Sequence, residues 1–341
     1  MKGWLRRAGR PFLLVAGLAF AGFLVWHVGT EKVADVLRLA GIWLPVVALL
    51  EMGFVATDIV GLRVLLGPAN VQKISRTSWV RSTTLAYAST ILLPTGRAAG
   101  EATRATLLAR DVGVGVAAGV CVRLQAAVLV ANAVISVLIA GVLVAWRGSA
   151  TTALSVAMLG NALACTVLGT LLYAILRGKG LSRWIQRRIP WVARKLAGDK
   201  AVAEGAAVSA TPGRAQIVGS IIAGIVGRCV QTAQFAVVMH AVGGLFTIPA
   251  AMTAQAVQIV GSTVGDALPA QLGAAEASYY ECASMLGLGS DPARAISIRI
   301  LVLTAQIGLA VVCLLVAARR QWGAAESERN AASSSAQGGL R

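Results

Sequence analysis

The sequence has few charged residues for its length. Of its 341 residues only 13% are charged, about half of the roughly 25% that is usual in soluble domains. Hydrophobic residues make up 57% of the chain. Because so few polar side chains cannot cover a water-soluble core of this size, the composition excludes a soluble enzyme and indicates an integral membrane protein.

Histidine and paired cysteine are also scarce, which limits the chemistry. The two histidines, His27 and His240, lie near the ends of apolar runs, and the five cysteines are scattered without a Cys-x-x-Cys spacing. This pattern argues against a disulfide framework and against a zinc site. The ATP-binding pattern Gly-x-x-x-x-Gly-Lys-Ser/Thr is absent as well. We therefore expect no metal and no cofactor, and any transport to be downhill, ion-coupled or driven by a partner.

Acidic residues are outnumbered by basic ones, 14 to 31, which leaves a net charge of +17. In a soluble chain such a charge would indicate a nucleic acid partner. Here the basic residues form short blocks between apolar runs, as the positive-inside rule and anionic lipid headgroups predict. We expect membrane lipids as partners and no nucleic acid.

The apolar runs predict an all-α polytopic membrane protein with about six full transmembrane helices and two re-entrant helical hairpins. Long uninterrupted runs are typical of full spans, whereas runs broken by Pro and Gly are typical of re-entrant segments. The hairpins are predicted at 79–93 with 101–120, and at 248–268 with 274–288. The full spans are predicted at 11–29, 41–66, 121–146, 151–176, 215–242 and 293–318.

Four basic clusters set the orientation. The positive-inside rule places all of them in the cytoplasm, so both termini are expected to be cytoplasmic in a multi-pass protein of the inner membrane. We expect one membrane domain over 1–322, a basic cytoplasmic loop at 177–214 with an amphipathic helix on the lipid surface, and a disordered tail at 323–341. The clusters are the N-terminus, the stretch from Arg63 to Arg81, the loop, and Arg319 with Arg320.

The two hairpins resemble each other. In the segments 94–101 and 269–276 a Glu follows seven residues after a Pro, and an arginine follows the Glu 22 or 23 residues later, at Arg123 and Arg299. The order span, hairpin, span therefore occurs twice, with the second copy inverted. Broken segments at matching positions of two halves predict a transport site near the bilayer midplane.

Charged side chains at membrane depth cost roughly 2.5–3.5 kcal/mol each on insertion scales, so they need partners, water or a ligand. In one interpretation the glutamates cap the hairpin helices and pair with Arg123 or Arg299. Glu101 and Arg104 can also meet, because their i, i+3 spacing places them on one helix face. In the other, arginines hold a phosphate, which suits their planar fork. The deep charges are Glu51, Asp58, Arg97, Glu101, Arg104, Arg123, Arg228, Asp266, Glu276 and Arg299. The predicted substrate-binding residues are Arg97, Glu101, Arg104, Arg123, Arg228, Glu276 and Arg299.

The sequence of the first predicted hairpin resembles a motif of a known family. The segment 93–108 has the Pro-x-x-x-x-x-Gly-Glu-x-x-Arg pattern of the lysylphosphatidylglycerol synthase transmembrane family, also called the flippase-like domain. The segment 268–276, with Gly287 and 295–299, looks like the second motif of that family, although 271–274 departs from its usual glycines. The resemblance spans about residues 10–320 and implies lipid handling by a stand-alone member without the soluble aminoacyl-transfer domain.

Three functions follow as hypotheses. The first is a translocator that moves a phospholipid, or another polar or isoprenoid lipid, between leaflets of the inner membrane. The second is a membrane-embedded transferase that acts on lipid-linked substrates with Glu101 or Glu276 as base. The third is an accessory subunit that docks a cytosolic or membrane partner enzyme through the basic loop. No nucleophile accompanies the glutamates, so we do not expect an enzyme.

Overall fold

The structure is a computed structural model that describes residues 22–93, 96–147, 153–177, 213–265, 273–288 and 291–338. These residues form helices joined by short turns, with no strand among them. Residues 22–28 are helical and lead into the first complete helix. The helices are α1 (Thr30–Ala40), α2 (Leu44–Val71), α3 (Arg76–Leu92), α4 (Gly96–Val112), α5 (Val114–Arg147), α6 (Ala153–Arg177), α7 (Arg214–Ala241), α8 (Ile248–Gly265), α9 (Ala274–Glu281) and α10 (Pro292–Gly338).

Five helical stretches are long and apolar enough to cross a membrane, and they coincide with five of the six predicted spans. The sixth predicted span, 11–29, lies mostly outside the described residues. Asp266, the segment that begins at Pro269 and most of the basic loop also lie outside them. The five stretches are Thr30–Val71, Val114–Trp146, Ala153–Tyr173, Arg214–Ala241 and Pro292–Arg319.

The last helix, α10, continues to Gly338 through the tail that the composition predicts to be disordered. Alanine, glutamate and arginine in this tail have high helix propensity, which accounts for the helical backbone.

Helix ends follow from glycine at two places. The helix predicted over 101–120 ends at Val112, because Gly113 adopts a φ of 85°, a conformation that L side chains rarely adopt. The boundary between α4 and α5 therefore lies at Gly113 and not near residue 120. In α2, Gly67 has a φ of 70° immediately before Pro68, and the helix is interrupted there.

The main core lies where α2, α5, α7, α8, α9 and α10 meet. Phe235, Val238 and Met239 of α7 are fully buried within it, and Val257 of α8 and Ile298 of α10 pack against the same cluster. A second cluster joins α2 to α4 and α5 through Leu62, Leu108 and Leu124. The first predicted hairpin, α3 with α4, is thereby fixed against the spanning helices.

Both predicted hairpins pack through a glycine. A Cβ on Gly100 of α4 would lie 2.8 Å from the carbonyl oxygen of Ala86 in α3 and would also overlap Thr90. A Cβ on Gly261 of α8 would lie 2.9 Å from the Cα of Ala275 in α9. Small residues at such positions let helix backbones approach closely in membranes. Each predicted hairpin therefore has one glycine at its closest helix contact.

We expect Gly100→Ala to lower the melting temperature of the purified protein. The added methyl group must displace the Ala86 carbonyl or Thr90, and overpacking of this kind costs about 1–3 kcal/mol. Gly141→Ala in α5 is the matched control, because its Cβ meets no atom within 4 Å and alanine is the better helix former. Equal melting temperatures of the two variants would show that the close contact does not stabilise the hairpin.

Candidate functional site

The first hairpin carries a buried ion pair within α4. Glu101 and Arg104 of α4 are both buried, and the Nη1 atom of Arg104 donates to Oε1 of Glu101 at 2.8 Å. The pairing follows from the i, i+3 spacing on one helix face and confirms that expectation. Nε of Arg104 is buried without a hydrogen-bond partner, whereas the Glu101 carboxylate also interacts with the Cys121 thiol of α5, so the pair retains one unused donor.

A second ion pair joins this hairpin to the first long span. The Nη2 atom of Arg97 in α4 donates to both carboxylate oxygens of Asp58 in α2, at 3.1 and 3.0 Å. Both side chains are partly buried. The sequence shows Asp58 as a deep charge but gives no sign of its partner, which lies 39 residues away. The structure adds Asp58 to the site.

Arg228 of α7 has a different environment. Its Nε donates to Oδ1 of Asn132 in α5 at 2.6 Å, and its Nη1 donates to Oε1 of Gln231 at 2.5 Å. The guanidinium lies 5.5 Å from the centre of the Phe54 ring, within cation–π range. Both of these hydrogen-bond partners are neutral. The cation is held by dipoles and an aromatic face.

The Arg228 site extends to α8 and to the first hairpin. Gln255 of α8 accepts a hydrogen bond from Thr232 at 2.6 Å and donates to Oε1 of Gln231 at 3.4 Å. Arg228 also interacts electrostatically with Arg97 and Asp58. The charges of α2, α4 and α7 therefore form one group, which we name the arginine cluster: Asp58, Arg97, Glu101, Arg104 and Arg228.

The second hairpin carries its own buried pair. Nε of Arg299 in α10 lies 3.6 Å from Oε1 of Glu276 in α9, and both side chains are almost completely buried. The second oxygen of Glu276 accepts the backbone N–H of Gly273 at 2.6 Å. Glu276 therefore caps the start of α9 and pairs with Arg299. The predicted capping and pairing of this glutamate are confirmed.

Arg123 is the predicted site residue that interacts with α6. It is buried in α5 and interacts electrostatically with Tyr173 of α6. The sequence predicts that Glu101 pairs with Arg123, but in the structure the ion pair of Glu101 is formed with Arg104, one turn along the same helix. The structure therefore brings Arg97, Glu101, Arg104 and Arg228 together and places the Glu276–Arg299 pair at the other hairpin.

Glu51 lies in the middle of α2 and is only 2% exposed. The sequence marks it as a deep charge without a predicted role. The spacing to Asp58 could have predicted a role for Glu51, because residues seven apart share one helix face. Oε1 accepts from the Tyr87 hydroxyl at 3.1 Å, and Oε2 accepts from Nε2 of Gln234 at 3.0 Å. Glu51 interacts electrostatically with Arg228. It therefore borders the arginine cluster.

Over the described ranges, no group of three or more His, Cys, Asp or Glu side chains is placed to hold a metal ion. The chemistry offered by the arginine cluster is that of guanidinium groups and carboxylates. Guanidinium groups bind phosphate and carboxylate oxygens through charge-assisted hydrogen bonds.

Comparison with known proteins identifies the family. No curated protein and no solved structure matches the chain. The family model described as the lysylphosphatidylglycerol synthase TM region matches residues 12–318. This match includes both hairpins, the arginine cluster and the Glu276–Arg299 pair. The chain is a membrane protein that belongs to the lysylphosphatidylglycerol synthase transmembrane family.

Proposed function

We propose that the protein is a lipid translocator that moves a phospholipid, or another polar or isoprenoid lipid with an anionic headgroup, between the leaflets of the inner membrane. The observation that carries this proposal is the position of Arg228, a cation within a spanning helix whose hydrogen bonds go to the neutral Asn132 and Gln231. A positive charge at this depth is costly without a counterion. An anionic headgroup supplies one during each passage.

The charge of the arginine cluster supports an anion as cargo. Three arginines face two carboxylates, so the cluster carries one excess positive charge (3 − 2 = 1) when the bordering Glu51 is not counted. Both carboxylates are already engaged, Asp58 by Arg97 and Glu101 by Arg104. A phosphodiester headgroup carries one negative charge and balances the excess. The unpartnered Nε atoms of Arg97 and Arg104 are donors left over for its oxygens.

We propose that α3 with α4 and α8 with α9 are re-entrant hairpins related by an inverted repeat. Each pair packs through a glycine, Gly100 in one and Gly261 in the other. Each pair contains a buried glutamate in an ion pair, Glu101 or Glu276. Inverted repeats with broken helices are typical of transporters whose substrate binds near the midplane. The basic blocks favour a cytoplasmic position for both chain termini.

Transport accounts for the glutamates better than a transferase reaction does. A general base must be free to accept a proton from the substrate. Glu101 accepts a hydrogen bond from Arg104 at 2.8 Å, and Glu276 uses one oxygen for Arg299 and the other for the backbone of Gly273. These contacts stabilise the hairpins and orient the arginines. We therefore propose that this chain performs no covalent chemistry.

Reconstitution of the purified protein in liposomes tests the proposal. Fluorescent phosphatidylglycerol is placed in both leaflets, and a membrane-impermeant quencher reports the fraction that reaches the outer one. We expect complete quenching with the protein and quenching of about the outer half in protein-free vesicles. A fluorescent glycolipid without phosphate is the matched cargo and should remain at the protein-free level. The proposal fails if phosphatidylglycerol also remains at that level.

A further inference from the structure

Glu51 is a buried carboxylate held by neutral hydrogen-bond donors from three other helices. The hydroxyl of Tyr87 in α3 donates at 3.1 Å, Nε2 of Gln234 in α7 at 3.0 Å, and Nε2 of Gln306 in α10 at 3.4 Å. Buried carboxylates are usually paired with a cation, because desolvation disfavours an isolated charge. The other carboxylates of the site follow that rule. Glu51 does not, since all three of these donors are uncharged.

The charged groups around Glu51 lie beyond direct contact. Arg228 of α7 and Arg299 of α10 both interact with it electrostatically. From α3, the titratable neighbour is Tyr87 itself, which in turn interacts with Cys313 of α10. Glu51 is therefore placed between the arginine cluster and the Glu276–Arg299 pair. Its ionised form depends on the potential of two arginines that it does not touch.

The Gln234 amide can present a donor or an acceptor to Glu51, although presenting the acceptor breaks its hydrogen bond to the Val47 carbonyl. Its Nε2 donates to Oε2 of Glu51 at 3.0 Å and to the Val47 carbonyl at 3.1 Å. Its Oε1 is buried without a hydrogen-bond partner. A protonated Glu51 needs an acceptor for its O–H, and rotation of the amide by half a turn presents this unused oxygen. The buried unpaired acceptor is explained if Glu51 is protonated in part of the cycle.

We propose that Glu51 binds a proton when an anion binds at Arg228, so that a lipid headgroup and a proton are carried together. The anion cancels the positive potential that stabilises ionised Glu51, and the carboxylate takes one proton from water. By linkage, protonation of Glu51 strengthens anion binding by the same factor. The moving unit then carries no net charge across the membrane. This inference rests on the proposed anion site for the coupling, although the proton site can be tested without it.

The first experiment measures the proton site alone. Infrared difference spectra of the full-length protein between neutral and acidic pH report protonated carboxyl groups. We expect a carboxyl band in the wild type that is lost in Glu51→Gln and kept, at a shifted position, in Glu51→Asp. Glu31→Gln, at an exposed glutamate of α1, is the matched control and should keep the band. A band that is unchanged in Glu51→Gln overturns the proposal. Loss of the wild-type band on addition of sodium ions also overturns it, because the carboxylate would then bind sodium in place of a proton.

The second experiment measures coupling. A water-soluble short-chain phosphatidylglycerol is added to weakly buffered protein in detergent, and a pH indicator reports proton uptake. We expect uptake that approaches one proton per chain in the wild type and in Glu31→Gln, and none in Glu51→Gln. Lipid binding without proton uptake in the wild type overturns the coupling. If the infrared band of Glu51 is present but no phosphatidylglycerol binds, the proton site stands and the proposed lipid function fails.

Discussion

Arg228→Gln is expected to lower the rate of phospholipid translocation by roughly 10- to 100-fold while the protein still folds. A hydrogen bond to a charged group contributes about 1.5–3 kcal/mol, which is lost when the cation is removed. The fold should tolerate the change, because Asn132 and Gln231 are neutral and the glutamine amide can still donate to one of them. Arg228 forms no ion pair within the described part of the chain, where the buried pairs are Asp58–Arg97, Glu101–Arg104 and Glu276–Arg299, so its removal breaks none. The measurement is the quenching assay beside a melting curve.

Two further variants at surface and site give this experiment its controls. Arg228→Lys keeps the charge but loses the planar fork, and we expect a rate between those of the wild type and the glutamine variant. Arg38→Gln removes an exposed cation of α1 and should leave the rate unchanged. A glutamine variant at position 228 with the wild-type rate would contradict the headgroup site, and the arginine cluster would then be a purely structural network.

Glu101→Gln is expected to destabilise the protein by about 3–5 kcal/mol, since it leaves Arg104 as a buried cation without its partner. Arg104 is 5% exposed, so water cannot replace the lost carboxylate. Glu276→Gln should have a similar effect through Arg299, which is 2% exposed. The free energy of unfolding, followed by denaturant titration in detergent, measures both. A loss below 1 kcal/mol in both variants contradicts the interpretation of the two pairs as buried ion pairs.

The double variant Glu101→Gln with Arg104→Gln separates stability from transport. Removal of both charges eliminates the unpaired cation, so most of the lost stability should return. Transport should not return, because the hairpin then lacks an arginine of the proposed site. Arg104 is the partner to remove, because its Nη1 lies 2.8 Å from Oε1 of Glu101. A double variant no more stable than Glu101→Gln would show that the two charges do not act as a pair.

Much of the fold is predictable from hydropathy and from Pro and Gly. Five spanning helices occur where long apolar runs predict them, because the bilayer imposes a length and a composition on each helix. The boundary between α4 and α5 is not predictable in this way. Arg110 and Asp111 lower the hydropathy just before Gly113, but charged residues also occur inside helices and do not by themselves mark a helix end. The positive φ at Gly113 sets the boundary.

The candidate site is predictable only where its contacts are local or repeated. The Glu101–Arg104 pair follows from spacing on one helix, and the Glu276–Arg299 pair follows from the repeated pattern of Glu and Arg. The Arg97–Asp58 pair joins residues 39 apart, and the contact of Gln306 with Glu51 joins residues 255 apart. Such contacts depend on how the helices pack, which no local pattern encodes.

The continuity of α10 has a mechanical consequence. Arg299 and Gln306 are two turns apart on this one rigid helix, about 10 Å along its axis. Arg299 pairs with Glu276 of the second hairpin, and Gln306 donates a hydrogen bond to Glu51. Further along α10, Ala310 packs against Tyr87 of the first hairpin. A helix behaves as a stiff rod over this length, so displacement of one hairpin pulls directly on the other. The single helix α10 is therefore a rigid connection between the helix pairs α3–α4 and α8–α9.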